Sequence, residues 1–264
     1  MIRFVDIAIN EVAVEIDSIL DRHDANGINI ASNMAAISRM ALTRMAKSDS
    51  LYFSFAHTVS GAKVALAIIR GLYARNGFVR GPEALNIMCS VLFCNVGIVR
   101  GILPGDKRNK FEIQDGKSIS VKEQSTDSAL WKFRTDRSVL FISKEPLLQN
   151  VINTDIVTSA ILNTDIGKTG NQNTLTVTDK YCRATQIISL MSNANYNKEL
   201  VRLYWSAKEG GALKDFNFQT LEEFRKNFPD YFWNNLYSDA AETISLLNET
   251  DRGREIVSSL YAHL

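Results

Sequence analysis

Pro82-Glu83-Ala84-Leu85-Asn86-Ile87-Met88-Cys89-Ser90-Val91-Leu92-Phe93-Cys94-Asn95 opens a stretch of low polarity that runs on through Gly97. Pro82 sits where a helix can begin, because the N–H it lacks is one the first turn leaves unpaired. Glu83 then lies near the positive end of the helix dipole. From Glu83 to about Asn95 the residues are almost wholly apolar, so the helix has no solvent face and belongs in the middle of a domain. Residues 84–103 carry no acidic side chain, but Asn86, Asn95, Gly97 and Arg100 interrupt them. That pattern reads as a buried helix and turn, not a membrane span. Gly97, Gly101, Pro104 and Gly105 make the exit irregular.

The neighbouring segments supply the rest of such a bundle. Residues 54–75 form a helix with Val59, Ala62, Val64, Ala65, Ile68, Ile69 and Leu72 giving wide burial, and Gly71 and Gly77 loosen its end. Residues 30–46 place Ile30, Met34, Ile37, Met40, Ala41 and Met45 on one broad face, a stripe that reads as core. Val5 to Leu20 makes a first helix, and His23-Asp24-Ala25-Asn26-Gly27 breaks it from the second. Downstream, Phe111-Glu112-Ile113 and Ser118-Ile119-Ser120-Val121 alternate around Asp115-Gly116, the signature of a hairpin. Short helices are expected over 126–143 and a longer one over 147–163. An exposed polar break holding Gly170, Asn171, Gln172 and Asn173 follows at 167–176. Helices are expected again at 178–192, and at 196–208 up to Gly210-Gly211. Thr220 and Glu223 have capping-box spacing, and two helices follow at about 229–248 and 251–262. No repeat and no clean linker divides the chain. The expected fold is all-α: one domain over 1–264, with helices of 1–48 packed on a 50–262 core and a small irregular or hairpin insertion near 106–125.

Composition narrows the partners. The chain of 264 residues has 30 Lys and Arg against 29 Asp and Glu, so near-neutral charge exerts no global pull on nucleic acid or an anionic membrane. With 13 Phe, 8 Tyr and 3 Trp there is ample burial for a folded core. Asp6, Glu11, Glu15 and Asp17 break up any signal-peptide core. Cys89, Cys94 and Cys182 are odd in number and lack zinc spacing, which fits a reducing, cytoplasmic setting. The basic run Lys107-Arg108-Asn109-Lys110 reads as a solvated turn. Lys208-Glu209-Gly210-Gly211 lacks phosphate-loop spacing. Neither nucleic acid nor a membrane is an expected partner; a homo-oligomer stays open.

Three polar features stand out against this apolar background. His57 lies in the helix of 54–75, where a solitary histidine is usually a packed core residue. Cys94-Asn95 ends the apolar helix, and polar groups at such an end often face a pocket, because burying them unpaired is costly. Arg183 and Gln186 lie one helical turn apart and share a face. None of these alone indicates catalysis.

Taken in order, the blocks resemble the HD-domain superfamily of metal-dependent phosphohydrolases. Members have a His on one helix, then His-Asp-Ile-Gly before an Arg-Gly-Leu-Leu-Pro-Gly-like turn. Here Ala56-His57-Thr58 is followed by Leu92-Phe93-Cys94-Asn95-Val96-Gly97 and then Arg100-Gly101-Ile102-Leu103-Pro104-Gly105-Asp106. Residues 125–130, Thr135-Asp136-Arg137-Ser138, Arg183-Ala184-Thr185-Gln186-Ile187-Ile188 (where the family has Arg-Ala-Ala-Asp-Leu-Ile) and Phe228-Pro229-Asp230-Tyr231-Phe232-Trp233-Asn234 look like the same group, so the resemblance covers about 50–262.

The resemblance implies a helical HD-like bundle and a metal held by His, His-Asp and a final Asp. The matching positions here are His57, Cys94-Asn95 and Gln186, so three of the four ligand positions are changed. Amides offer a neutral carbonyl in place of a carboxylate. A Cys94–His57 nucleophilic pair is the rival chemistry, but Cys94 sits at a helix end, where the dipole does not stabilise a thiolate. No metal or other cofactor is expected; a divalent metal belongs to an alternative reading, an active phosphohydrolase with an unusual site. The leading expectation is a catalytically impaired HD-like protein that binds a small anionic, nucleotide-like or phosphate-containing ligand, or a partner protein. Arg100, Lys107, Arg134, Asp136, Arg137 and Arg183 are the candidate lining of an anion-binding cleft, with Arg137 and Asp136 equally readable as salt-bridged structural groups and Asp106 and Asp127 placed to orient the basic groups or cap helices. A purely structural interaction protein is the third reading.

Overall fold

The apolar run becomes helix α4 (Gly81–Phe93), with Pro82 in its first turn and every residue from Ala84 to Phe93 buried. The 18 residues Gly81–Ile98 are apolar enough to cross a membrane, at mean hydropathy 1.3, yet 83% of that window is buried by other helices. This is a computed structural model, and it describes residues 4–19, 29–165 and 174–264.

Helix α3 (Phe55–Asn76) starts at Ser54, whose hydroxyl accepts from the His57 amide, and ends at Gly77 in the left-handed region at φ 79°. Asn29 caps α2 (Ile30–Met45) by accepting from the Ser32 amide. Helix α1 (Phe4–Ile19) packs on α2 and α3, and α2 packs on α4. Arg70 of α3 pairs with Glu15 of α1. After α4, a 3₁₀ turn (Val96–Ile98) leads to an antiparallel hairpin of β1 (Lys110–Gln114) and β2 (Lys117–Ser120). Phe111 pairs with Ile119, and the register shifts between Glu112 and Gln114 before the turn at Asp115-Gly116. The architecture is therefore a largely helical bundle with a small two-stranded insertion.

Beyond the hairpin, a 3₁₀ segment (Asp127–Phe133) runs into α5 (Arg134–Ser143). The single helix expected over 147–163 is instead two, α6 (Pro146–Gln149) and α7 (Thr154–Leu162). Asn153 explains the restart, since its side chain accepts from the Ile156 amide and caps α7. The breaks expected at 23–27 and over most of 167–176 lie outside the described residues. Thr176, the last residue of the second break, caps α8 (Val177–Met191) in a complete capping box with Asp179.

Helix α9 (Tyr196–Glu209) leads to a 3₁₀ turn (Leu213–Phe216) and α10 (Leu221–Tyr231). Thr220 accepts from the Glu223 amide as its spacing predicts, but Glu223 reaches back to the Gln219 amide, not to Thr220. The helix expected to begin near 229 does not begin there. Pro229 lies inside α10, and one π turn (Phe232–Leu236) links α10 to α11 (Tyr237–Leu247). Helix α12 (Asp251–Tyr261) starts at Thr250. Helices α3, α4 and α8 lie against one another at the centre, and α7, α11 and α12 surround them.

Candidate functional site

The first turn of α3, the exit of α4 and the middle of α8 meet at one point, and each contributes a polar side chain there. His57 Nε2 lies 3.3 Å from Gln186 Oε1. Asn95 Nδ2 donates to the same oxygen over 3.2 Å. All three side chains are buried. With Oε1 accepting from both, His57 carries its proton on Nε2. Burial disfavours the imidazolium, and the nearby Arg134 charge adds to this against the opposing Gln186 bond; together they lower the His57 pKa to about 4. Near neutral pH the network holds no formal charge. Asn95 Oδ1 is buried without a hydrogen-bond partner.

Cys94 is adjacent but turned elsewhere. Its Sγ donates to Val91 O over 3.2 Å within its own helix. Burial raises the Cys182 pKa, and the neighbouring Cys94 adds to it. Burial raises Cys89 as well. All three thiols are fully buried. No geometry pairs Cys94 with the His57 ring as nucleophile and base.

Arg134, the first residue of α5, stands beside this network. It is only 3% exposed, so its charge is almost wholly desolvated. Its guanidinium lies 4.7 Å over the Phe53 ring and 6.0 Å from Trp131. Nε is buried with no hydrogen-bond partner, and among the described residues Arg134 makes no ion pair. Arg134 lines a small cavity with Tyr52, Phe53, Trp131, Thr164, Asp165 and Gln186. The space among them is about 10 Å³, roughly one water molecule's worth. Burial pushes the Tyr52 hydroxyl pKa up, against the pull of Arg134, so the phenol stays protonated.

The other predicted anion-binding residues lie elsewhere. Arg137 is fully buried and gives both terminal nitrogens to Asp106, at 3.0 and 2.9 Å. It also donates to Gly97 O at 2.6 Å, to Val99 O at 3.0 Å and to Glu112 O. Those bonds use its five N–H groups, so it ties the α4 exit to the hairpin and has no donor left for a ligand. Arg183 donates to Asp239 at 2.6 Å and to the carbonyls of Asn163 and Asp165. Arg100 bridges Asp127 and Asp49 at 2.7 and 2.6 Å. Burial raises the Asp127 pKa, and Asp49 adds to it against Arg100. Arg100, Lys107 and Asp127 line an open groove with Lys47 and Arg108, a different place from the Arg134 cavity. Asp136 is exposed on a third surface, beside Phe133 and Val139.

Tyr52, Phe53 and Trp131 were not among the residues expected at a site. Their signal was available: Tyr52-Phe53 directly precedes the Ser54 cap of the helix that carries His57. A divalent cation finds no fit at the network, because two amides and a neutral imidazole supply no carboxylate. Among the described residues no group of three or more His, Cys, Asp or Glu side chains is placed to hold a metal ion. The model of a family described as Npun_R2479-like matches residues 5–264. No curated protein and no solved structure matches.

Proposed function

The chain belongs to the Npun_R2479-like family, and from that starting point we propose that it is a catalytically impaired relative of the HD-domain phosphohydrolases that binds a small anionic molecule without cleaving it. The observation that carries this reading is the neutral network itself. Side chains at the positions matched to the HD ligands gather from three helices, with His57 and Asn95 both on Gln186 Oε1. A metal hydrolase needs an ion there to activate water or clamp phosphate oxygens. Two carboxylates are the usual source of the negative charge that holds such an ion, and both positions are amides. The desolvated Arg134 next to the network supports binding of an anion in place of a cation.

The test is restoration. The triple variant C94H/N95D/Q186D gives the positions the residue types that the HD resemblance implies. Manganese titration followed by electron paramagnetic resonance should show no tight site in the wild type and one site per chain in the variant. Tight manganese binding by the wild type would overturn the metal-free reading. A folded triple variant that binds no manganese would overturn the HD assignment.

A further inference from the structure

We propose that Arg134 is the recognition group for an oxyanion, with room for one oxyanion oxygen in the cavity and the remainder of the headgroup at its mouth. The inference rests on the reading of the site as a carboxylate-free binder and names what that binder holds. An arginine only 3% exposed is expensive unless a counter-charge or several hydrogen bonds offset its charge. Arg137, three residues on, shows what a satisfied buried arginine looks like in this protein, with both carboxylate oxygens of Asp106 and three carbonyls around it. Among the described residues, Arg134 has aromatic faces against it and no carboxylate or carbonyl within hydrogen-bond reach. Phe53 and Trp131 hold the plane of the fork, and its Nε has no acceptor.

The cavity's remaining polar wall fits the same ligand. Gln186 commits its oxygen to His57 and Asn95, so its amide N–H pair is what it has left to offer. His57 is neutral and contributes no second positive charge. The Tyr52 hydroxyl stays protonated and able to donate. Asp165 also lines the cavity, and its backbone carbonyl accepts from Arg183. A planar fork beside donor groups selects a phosphate or carboxylate oxygen over a cation. The volume excludes a nucleotide base or sugar from the enclosed part. Free inorganic phosphate and the phosphate end of an ester share this chemistry.

Thermal unfolding decides it, with sodium chloride exchanged for sodium phosphate at fixed pH and ionic strength. The wild type should show a saturable rise in Tm, about 2–4 °C at a few-fold excess over Kd. Glycerol phosphate should act like inorganic phosphate if the headgroup alone is read, and a response to the ester alone would assign the site to phosphomonoesters. R134M should lose the response while keeping, or exceeding, the wild-type Tm in chloride, because it removes an unpaired buried charge. R134K, which keeps the charge without the fork, should bind at least about tenfold more weakly. No response of the wild type to either phosphate or the ester, or an undiminished response in R134M or R134K, overturns the proposal. The manganese titration of the triple variant reads the HD assignment independently, so the two failures are distinguishable.

Discussion

His57 illustrates how a single buried side chain sets a pH dependence. Its pKa is about 4 in the folded chain against an ordinary 6.5. Between those values the unfolded chain takes up a proton that the native state refuses, so stability falls as pH falls. The contribution is complete above pH 6.5 and lost below about 4, and the shift corresponds to about 3 kcal/mol. Urea unfolding at pH 7.5 and 4.5 should therefore show the wild type losing about 2.5 kcal/mol more than H57Q; equal losses would place the ring in a solvated setting. Gly97 is a second such residue. A Cβ built there would lie 2.2 Å from Arg134 O and 2.4 Å from Ser138 N, both backbone atoms, so G97A must push α5 away. We expect a cost of at least about 1–3 kcal/mol in chemical denaturation, with a disturbed Arg134 cavity. Much of the site was visible as polar residues in apolar helices. What separates Arg134 from Arg137 was not, because the partner that consumes Arg137 is Asp106, 31 residues away in sequence.

At the scale of elements, local chemistry was read well wherever the deciding partner lies within a turn. Pro82 and Glu83 start α4, Ser54 and Gly77 bound α3, and Asp115-Gly116 turns the hairpin. Thr220 caps α10 as its spacing predicts, and T220A should cost about 0.5–2 kcal/mol. An unchanged unfolding midpoint would show that the bond to the Glu223 amide contributes nothing. The missed boundaries have physical causes as local as these. Asn153 supplies a cap inside what reads as one apolar stretch, and Pro229 is tolerated within α10, which passes into a π turn three residues later. Pro marks a helix start only when its unpaired neighbours are at the first turn, and here that turn belongs to Thr220. Helix α4 sets the largest packing term. Phe93 is fully buried and stacks on Phe141 with ring centroids 5.7 Å apart, so F93A should cost about 3–5 kcal/mol. Calorimetry or urea titration reads that loss directly.

Over the whole molecule, the apolar side chains of α1 through α12 join in one cluster that includes Ile9, Ile37, Phe93, Ile187 and Leu260. Unfolding followed by tryptophan fluorescence and by far-ultraviolet circular dichroism should give coincident transitions. An early, separate loss of helical signal would detach α1 and α2 from the rest. Such long-range unity was legible only as a surplus of apolar residues, because which helix meets which is decided by packing shape and not by any one segment. The burial of Cys89, Cys94 and Cys182 in that same interior has a practical side. Maleimide dyes require an accessible thiolate, which none of these offers in the native protein. A reporter cysteine placed on an outer helix can thus be labelled alone, in the unaltered background, and the same reagent used without it becomes a clock for global opening.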